Sequence, residues 1–402
     1  MFNNEKASGE IGNFISIVLM TLVLSVLFIW AIGSILAEDI VVSTYENRKL
    51  LQYVSPEWSS VLDGTWMKEY EDYSCEQVYG RECIMKKYYS LLDFMEVKER
   101  NGYVEGKEDY LLAVKTDVLW DEEEYYEAFS SEGDAFVDTA VKLNKVAEDA
   151  GSKLIVLEIP HKTEFCAQYY PQFWEDAEKA DRVKNEIIIE KLKKHGVDIV
   201  ETWNVLKAHE KEELYYKSDH HYTYLGAYYI YQELLSYINE VYEEEIYFPQ
   251  VDQCAQYALE ERMVGSSLKA WGDSGKKNLD TLKWFMPQDM PEYKRYELGE
   301  ESRIPLVRQT SGGYTAFMGG DKANTVIKTN REDLPNVLFI GRSYTNALEV
   351  MASYSFNEMH SIDPRHYEGN LSQYIKENDI DYIVLARFDV IEGDSGYSCE
   401  FF

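Results

Sequence analysis

Basic charge is scarce in this chain. Forty Lys and Arg face 72 Asp and Glu, a net charge of −32 over 402 residues. A surface that acidic repels phosphate backbones, which argues against nucleic acid as a partner. Cysteine is scarce as well: Cys75, Cys83, Cys166, Cys254 and Cys399 are the five copies, and no two form a CxxC pair. These spacings suit no structural zinc site, so no metal is expected, and nothing in the sequence calls for a cofactor. Outside the cytosol, Cys75 and Cys83 are candidates for a small disulfide-closed loop. There is no internal repeat and no low-complexity tract. The length fits one large domain, or two small ones, with a proper core. Tyrosine is plentiful, at 33 copies, which suits sugar-binding faces and ordinary cores alike.

Long apolar runs are absent save one. Ile11 to Ala37 contains no charged side chain and exceeds the roughly 20 residues needed to cross a bilayer. A signal peptide is the rival reading, but its apolar region is usually about 7–15 residues. Ile35-Leu36-Ala37 is also a poor small-x-small cleavage site. Lys6 on one flank and Glu38-Asp39 on the other favour the N-terminus inside. The expected layout is a cytoplasmic tail over 1–10, an anchor over 11–37 and everything from 38 onward outside.

Beyond the anchor, residues 38–130 read as a connector and the N-terminal part of the ectodomain. Helical stretches precede a turn at Asn101-Gly102, with short strands near Tyr103-Val104 and Tyr110-Leu112. The acidic run Asp121-Glu124 reads as a solvated face. From Asp134 the pattern changes. Phe136, Ala140, Leu143 and Ala147 recur at helical spacing until Gly151, and Lys153–Ile159 is then a buried strand. The pulse repeats with a helix over 176–194, a strand over 197–200 and a helix over 224–242. It returns with strands at 336–340, 358–362 and 381–386, interleaved with helices at 346–354 and 371–377. Such alternation predicts an α/β, three-layer, mostly parallel sheet over 131–402. Residues 244–330 read as a loop-rich insertion, with turns such as Ser311-Gly312-Gly313.

Chemistry concentrates in Lys217-Ser218-Asp219-His220-His221-Tyr222-Thr223. Residues two apart in an extended or turn segment face the same way, so Asp219 can bond one ring nitrogen of His221 and leave the other available. That is the orienting half of a nucleophilic triad. Two other readings compete with it: a capped structural loop, and a metal site with His161 as a distant third ligand. The matching nucleophile is Ser343, where an apolar strand runs into Gly341-Arg342-Ser343 and a helix. A serine there meets unused helix N–H groups able to hold an oxyanion; equally, it is a favoured N-cap.

Ser218-Asp219-His220-His221-Tyr222-Thr223, followed by Gly226-Ala227-Tyr228, resembles the signature of the DHHW family, relatives of the SGNH-hydrolase-like alginate O-acetyltransferase proteins. The likeness continues through Tyr314 to Gly320, Ile340-Gly341-Arg342-Ser343-Tyr344 and Ile362-Asp363-Pro364-Arg365-His366-Tyr367. It implies a flavodoxin-like SGNH fold and serine ester chemistry on an extracellular glycan. Ser343 would be the nucleophile, His221 the base and Asp219 its orienter. Gly319, Gly320, Arg342, Tyr344, Tyr314 and His220 would serve the oxyanion or substrate. The implied partners are a polysaccharide and a membrane protein that donates acetyl groups. Two positions depart from the family pattern: Arg342 stands where Asp is usual, and Tyr222 where Trp is usual. A catalytically inactive relative that binds glycan or an envelope-assembly partner is the alternative, favoured by Arg342.

Overall fold

The computed structural model describes residues 2–43, 48–114, 133–172, 177–272, 280–309 and 313–386. The acidic run at 121–124, the turn at 311–312 and Cys399 lie outside the described residues. Two compact units divide the chain, residues 1–97 with 272–274 and residues 98–271 with 275–402. The boundary falls at 97/98, so the strands near residues 100–113 group with the sheet that follows them.

In the first unit, α1 (Phe2–Leu36) is one continuous helix. Its stretch Phe14–Leu36 is long and apolar enough to cross a membrane, and none of it is buried within the protein. A two-stranded ribbon follows, β1 (Val42–Ser43) with β2 (Arg48–Lys49). Three helices complete the unit: α2 (Trp58–Asp63), α3 (Thr65–Glu76) and α4 (Arg81–Phe94). Cys75 and Cys83 are not bonded to each other; both are free and exposed, Cys75 on α3 and Cys83 on α4.

The second unit opens with a three-stranded meander, β3 (Glu99–Arg100), β4 (Tyr103–Glu105) and β5 (Leu111–Ala113). Then come α5 (Asp134–Ala150), β6 (Lys153–Leu157), the single turn α6 (Lys162–Phe165), α7 (Ala177–Lys194), β7 (Asp198–Val200), α8 (Trp203–Ala208) and α9 (Tyr224–Tyr242). The segment expected to be loop-rich is partly ordered into sheet. β8 (Cys254–Ala258) pairs with β9 (Lys283–Pro287), and the short helix α10 (Ser266–Trp271) lies between them. β10 (Lys294–Glu297), β11 (Glu300–Ser302) and β12 (Asn324–Lys328) extend the main sheet. The chain closes with β13 (Val337–Ile340), α11 (Asn346–Ser355), β14 (Glu358–Ile362), α12 (Leu371–Glu377) and β15 (Tyr382–Ala386).

The main sheet has eight strands in the order β11-β10-β12-β14-β13-β15-β6-β7. From β14 to β7 every pair is parallel, as the alternation predicts. At the other edge β11, β10 and β12 pair antiparallel, so the sheet is mixed. These three strands are short and carry charges such as Lys294, Glu300 and Lys328, a pattern that reads as loop because one edge strand buries little.

Alternation along β13 shows the layering. Leu338 and Ile340 pack with Phe136, Leu143 and Leu371 on one face, while Val337 and Phe339 pack with Leu234, Leu348 and Met351 on the other. The helix after β13 and the helix after β14 thus cover opposite faces, which opens a crevice at the carboxyl end of β13. Phe339 is fully buried at the sheet centre. Phe339→Ala is expected to cost about 3–5 kcal/mol in a denaturant titration, through lost burial and the cavity left behind.

Candidate active site

Two loops meet at that crevice. The first lies between Tyr215 and Tyr222, which bridge antiparallel and leave Tyr216 to His221 as the tip. Thr223 closes it by capping α9, its Oγ1 accepting from the Gly226 N–H at 3.1 Å. The second follows β13. At Gly341 a Cβ would stand 2.2 Å from the Thr345 methyl, so only glycine permits a turn this tight.

The three residues singled out for a triad come together here. His221 Nδ1 lies 2.5 Å from Asp219 Oδ1, and His221 Nε2 lies 2.7 Å from Ser343 Oγ. Asp219 and His221 are buried, and Ser343 is half-buried. The remaining acceptor sites of Asp219 are also used: its Oδ1 accepts the His221 N–H at 3.0 Å and its Oδ2 the Ser266 N–H at 2.7 Å. Burial alone would raise this carboxyl. Bonds from His221 and the Ser266 N–H, with both imidazoles nearby, outweigh burial and hold it well below the ordinary carboxylate range. An ionised Asp219 makes Nδ1 the donor and leaves Nε2 to accept from the Ser343 hydroxyl.

Aromatic rings fix the imidazole plane. Tyr314 stacks on His221 at 3.8 Å between centroids and 1° between planes, and His220 lies at 3.8 Å. Two phenols cross between the loops: Tyr222 donates to the Tyr344 carbonyl, and Tyr344 donates to the His220 carbonyl at 2.7 Å. The phenol at position 222 therefore ties the serine loop to the histidine loop. His220 turns outward, its Nδ1 2.7 Å from Ser266 Oγ. Asp219, His220 and His221 offer ligand atoms within 4.8 Å of one another, but both ring nitrogens of His221 already have partners in Asp219 and Ser343.

A cavity of about 400 Å³ opens at Ser343, lined also by Tyr103, His161, Lys162, His220, Arg342, Tyr344 and Arg365. Gly319 and Gly320 do not line it. Both have positive φ in the turn after Phe317, and the Gly320 N–H is already donated to the Phe317 carbonyl at 3.0 Å. The short turn Tyr314–Ala316 just before it brings Tyr314, not a glycine, to the site. A larger cavity of about 600 Å³, lined by Glu212, Lys217, Asp280 and Trp284 among others, does not contain the serine.

Comparison with known proteins bears on the architecture. The family model described as the SGNH hydrolase-like domain of the acetyltransferase AlgX matches residues 115–273. The chain carries an SGNH hydrolase-like domain. A DHHW family protein from Eubacterium siraeum shares its fold with a TM-score of 0.56 at 22% identity, over 74% of this chain and 94% of that one. PatB1 from Bacillus cereus does so with a TM-score of 0.52 at 19% identity, over 71% and 96%. A second PatB1 structure, solved with a sulfonyl adduct, gives 0.50 at 17% identity, over 72% and 95%. No curated protein matches the chain in sequence.

The SGNH-like domain supports its histidine loop with residues that the motif alone does not reveal. The Lys162 ammonium, buried, donates to the carbonyls of Leu111, Lys217 and Asp219 at 2.8, 2.8 and 2.9 Å. Burial lowers its pKa to about 8, against the opposing pull of Cys166, Asp280 and Asp219. Asp280 accepts the N–H groups of Lys217 at 2.9 Å and Ser218 at 2.8 Å. Gly265 lets α10 approach, since a Cβ there would stand 2.2 Å from the Ser218 carbonyl oxygen. Lys162 had one sequence signal, its place just past a buried strand's carboxyl end; Asp280 had none.

Beneath the serine turn of the SGNH-like domain lies Glu349. Burial pushes its carboxyl up to about 7 against donation from the hydroxyls of Thr345 at 2.5 Å and Ser361 at 2.7 Å; Asp321 adds to the rise and Arg295 opposes it. Arg365 is held by Asp363 and Asp321, each at 2.6 Å, and these bonds keep its guanidinium charged.

Two expectations follow from this support. Lys162→Met removes one ammonium donor from the carbonyls of Leu111, Lys217 and Asp219 and should lower stability by about 3 kcal/mol in urea titration. For Glu349 the folded pKa exceeds the ordinary 4.5, so stability tied to its proton is full below that value and is lost as pH rises through about 7. The melting temperature of Glu349→Gln should therefore gain on the wild type steadily between about pH 5 and pH 8.

Proposed function

We propose that this chain is a membrane-anchored, serine-dependent carbohydrate O-acetyltransferase or acetylesterase that acts on a cell-envelope or exopolysaccharide glycan. The observation that carries the reading is His221, bonded through one nitrogen to a buried, ionised Asp219 and through the other to a cavity-facing Ser343. The match to the SGNH hydrolase-like domain of the acetyltransferase AlgX supports acetyl transfer as the reaction class.

In this reading Ser343 Oγ attacks the carbonyl carbon of an acetyl ester while His221 Nε2 takes the hydroxyl proton. Collapse of the tetrahedral intermediate breaks the ester bond, and His221 returns the proton to the departing oxygen. The Ser343 acetyl ester is then attacked by a sugar hydroxyl or by water, with His221 again accepting the proton. Collapse of that second intermediate releases the acetylated sugar or acetic acid, and His221 returns the proton to Ser343 Oγ, restoring the serine. The Ser343 N–H, at the start of the turn into α11, would serve as an oxyanion donor. A polysaccharide is the acceptor, and a membrane protein presenting acetyl groups fits as donor. α1 serves as a single-pass anchor with the N-terminus inside and the SGNH-like domain outside, as its flanking charges favour.

Hydrolysis of p-nitrophenyl acetate by the full chain tests this reading, with Ser343→Ala and His221→Ala for comparison. Both variants should lose at least about 10³-fold in rate; Ser343→Ala should keep the wild-type melting temperature, while His221→Ala, which strips a ring bond from the buried Asp219, should melt lower yet remain folded. A sulfonyl fluoride should add to Ser343 in the wild type only, read by peptide mass spectrometry. A folded wild type with neither turnover nor adduct would sink the catalytic assignment and favour a glycan-binding protein.

A further inference from the structure

The first unit contains a helix whose exposed face has no role in the site. In α4, Ile84, Tyr88, Leu91 and the C-capping Met95 recur at spacings of four, three and four, and they are 42, 55, 53 and 61% exposed. Projected at 100° per residue, the four fall within about 60° of arc. The buried Tyr89 and half-buried Met85 and Leu92 occupy the neighbouring arc and face the protein. Glu82 and Asp93 project on the opposite side, while Arg81 and Lys87 flank the apolar stripe. A helix of this kind, apolar on one face with cations at the margins, suits the boundary between lipid headgroups and acyl chains.

The attachment of α4 argues that this boundary is within reach. Tyr79 accepts at its carbonyl from Trp30 Nε1 at 2.6 Å and donates its N–H to Ser34 Oγ at 3.0 Å. Its ring packs on α1 so closely that a Cβ at Gly33 would lie 3.6 Å away. Trp30 and Ser34 belong to the last two turns of the apolar stretch Phe14–Leu36. At 1.5 Å per residue they lie about 9 and 3 Å below its end. Tyr79 is thus held at the depth where interfacial aromatics gather, and α4 begins two residues later.

We infer that the Ile84-Tyr88-Leu91-Met95 face of α4 lies on the membrane surface, making a second, in-plane contact beside the spanning helix. This rests on the reading of α1 as membrane-spanning. A single span allows the protein to rotate about its axis and tilt. A surface helix joined to it through Tyr79 removes much of that freedom for the first unit.

Depth-dependent quenching in phosphatidylcholine vesicles containing the full chain alone tests the inference. Cys75, Cys83 and Cys399 are replaced by Ser, leaving only the buried Cys166 and Cys254, and a fluorophore is attached in turn at Val23→Cys, Tyr88→Cys, Leu91→Cys and Asp93→Cys. The labels at 88 and 91 should be quenched by lipids brominated near the headgroup. Iodide in the water should quench them at least about threefold less than the label at 93. If the label at 23 is lipid-quenched while those at 88 and 91 are as open to iodide as 93, the surface contact is wrong and the anchor stands. The stripe would then be left to a protein partner. If the label at 23 is itself open to iodide, the anchor reading fails and the inference fails with it.

Discussion

A carboxylate removed from water must have its charge answered by hydrogen bonds, and Asp219 imposes that requirement on its whole surroundings. Its oxygens take the His221 N–H, the His221 ring and the Ser266 N–H. None of these donors is optional, because each lost bond would leave a buried negative charge poorly solvated. The His221 ring is thereby fixed in the tautomer that presents Nε2 to Ser343. The Ser266 bond draws α10 against the loop, and only glycine at 265 tolerates the approach. The backbone carbonyl of the same aspartate is held by the Lys162 ammonium. Charges of both signs are therefore satisfied around one residue, through its side chain and its main chain.

The sheet explains why such an arrangement stands where it does. β13 delivers Ser343 at its carboxyl end, and the helices after β13 and β14 depart to opposite faces. The histidine loop comes from far away in the chain, yet Tyr222 and Tyr344 cross-bond the two loops. The distance between His221 and Ser343 is then set by two phenols as well as by the fold. Tyr314, arriving from the segment between β11 and β12, stacks on the imidazole. The mixed sheet thus contributes to the site on both sides: its parallel half supplies the serine, and the segment between two of its antiparallel strands supplies the ring that holds the histidine flat.

Much of this was legible in the chain. The helices over 134–150, 224–242 and 371–377 and the strands at 337–340, 358–362 and 382–386 follow from apolar periodicity, since each buries a face or a whole strand. Asp219, His221 and Ser343 were legible because their chemistry is rare and their positions, before one helix and after a buried strand, are specific. Gly319 and Gly320 lie outside the lining of the serine cavity: glycine marks a turn, and the Gly320 N–H is spent within it. The antiparallel strands at 294–297 and 300–302 were missed because they are only four and three residues long and rich in charge, too short for an apolar pattern to be read. Cys75 and Cys83 suggested a loop from their spacing, but they stand unbonded on two successive helices.

The sequence by itself determined which segments become helices and buried strands, that one N-terminal run can cross a membrane, and which three side chains could make a nucleophilic triad. Those features depend on residues close together in the chain, where periodicity and side-chain type are sufficient. Tertiary structure alone decided that Lys162, Asp280, Ser266 and Tyr314 serve the Asp219–His221 loop, and that Glu349 lies buried beneath the serine. These residues are ordinary in their local context. Their roles come from contacts between segments far apart in sequence, made when burial of a common core forces each buried charge and carbonyl to find its partner.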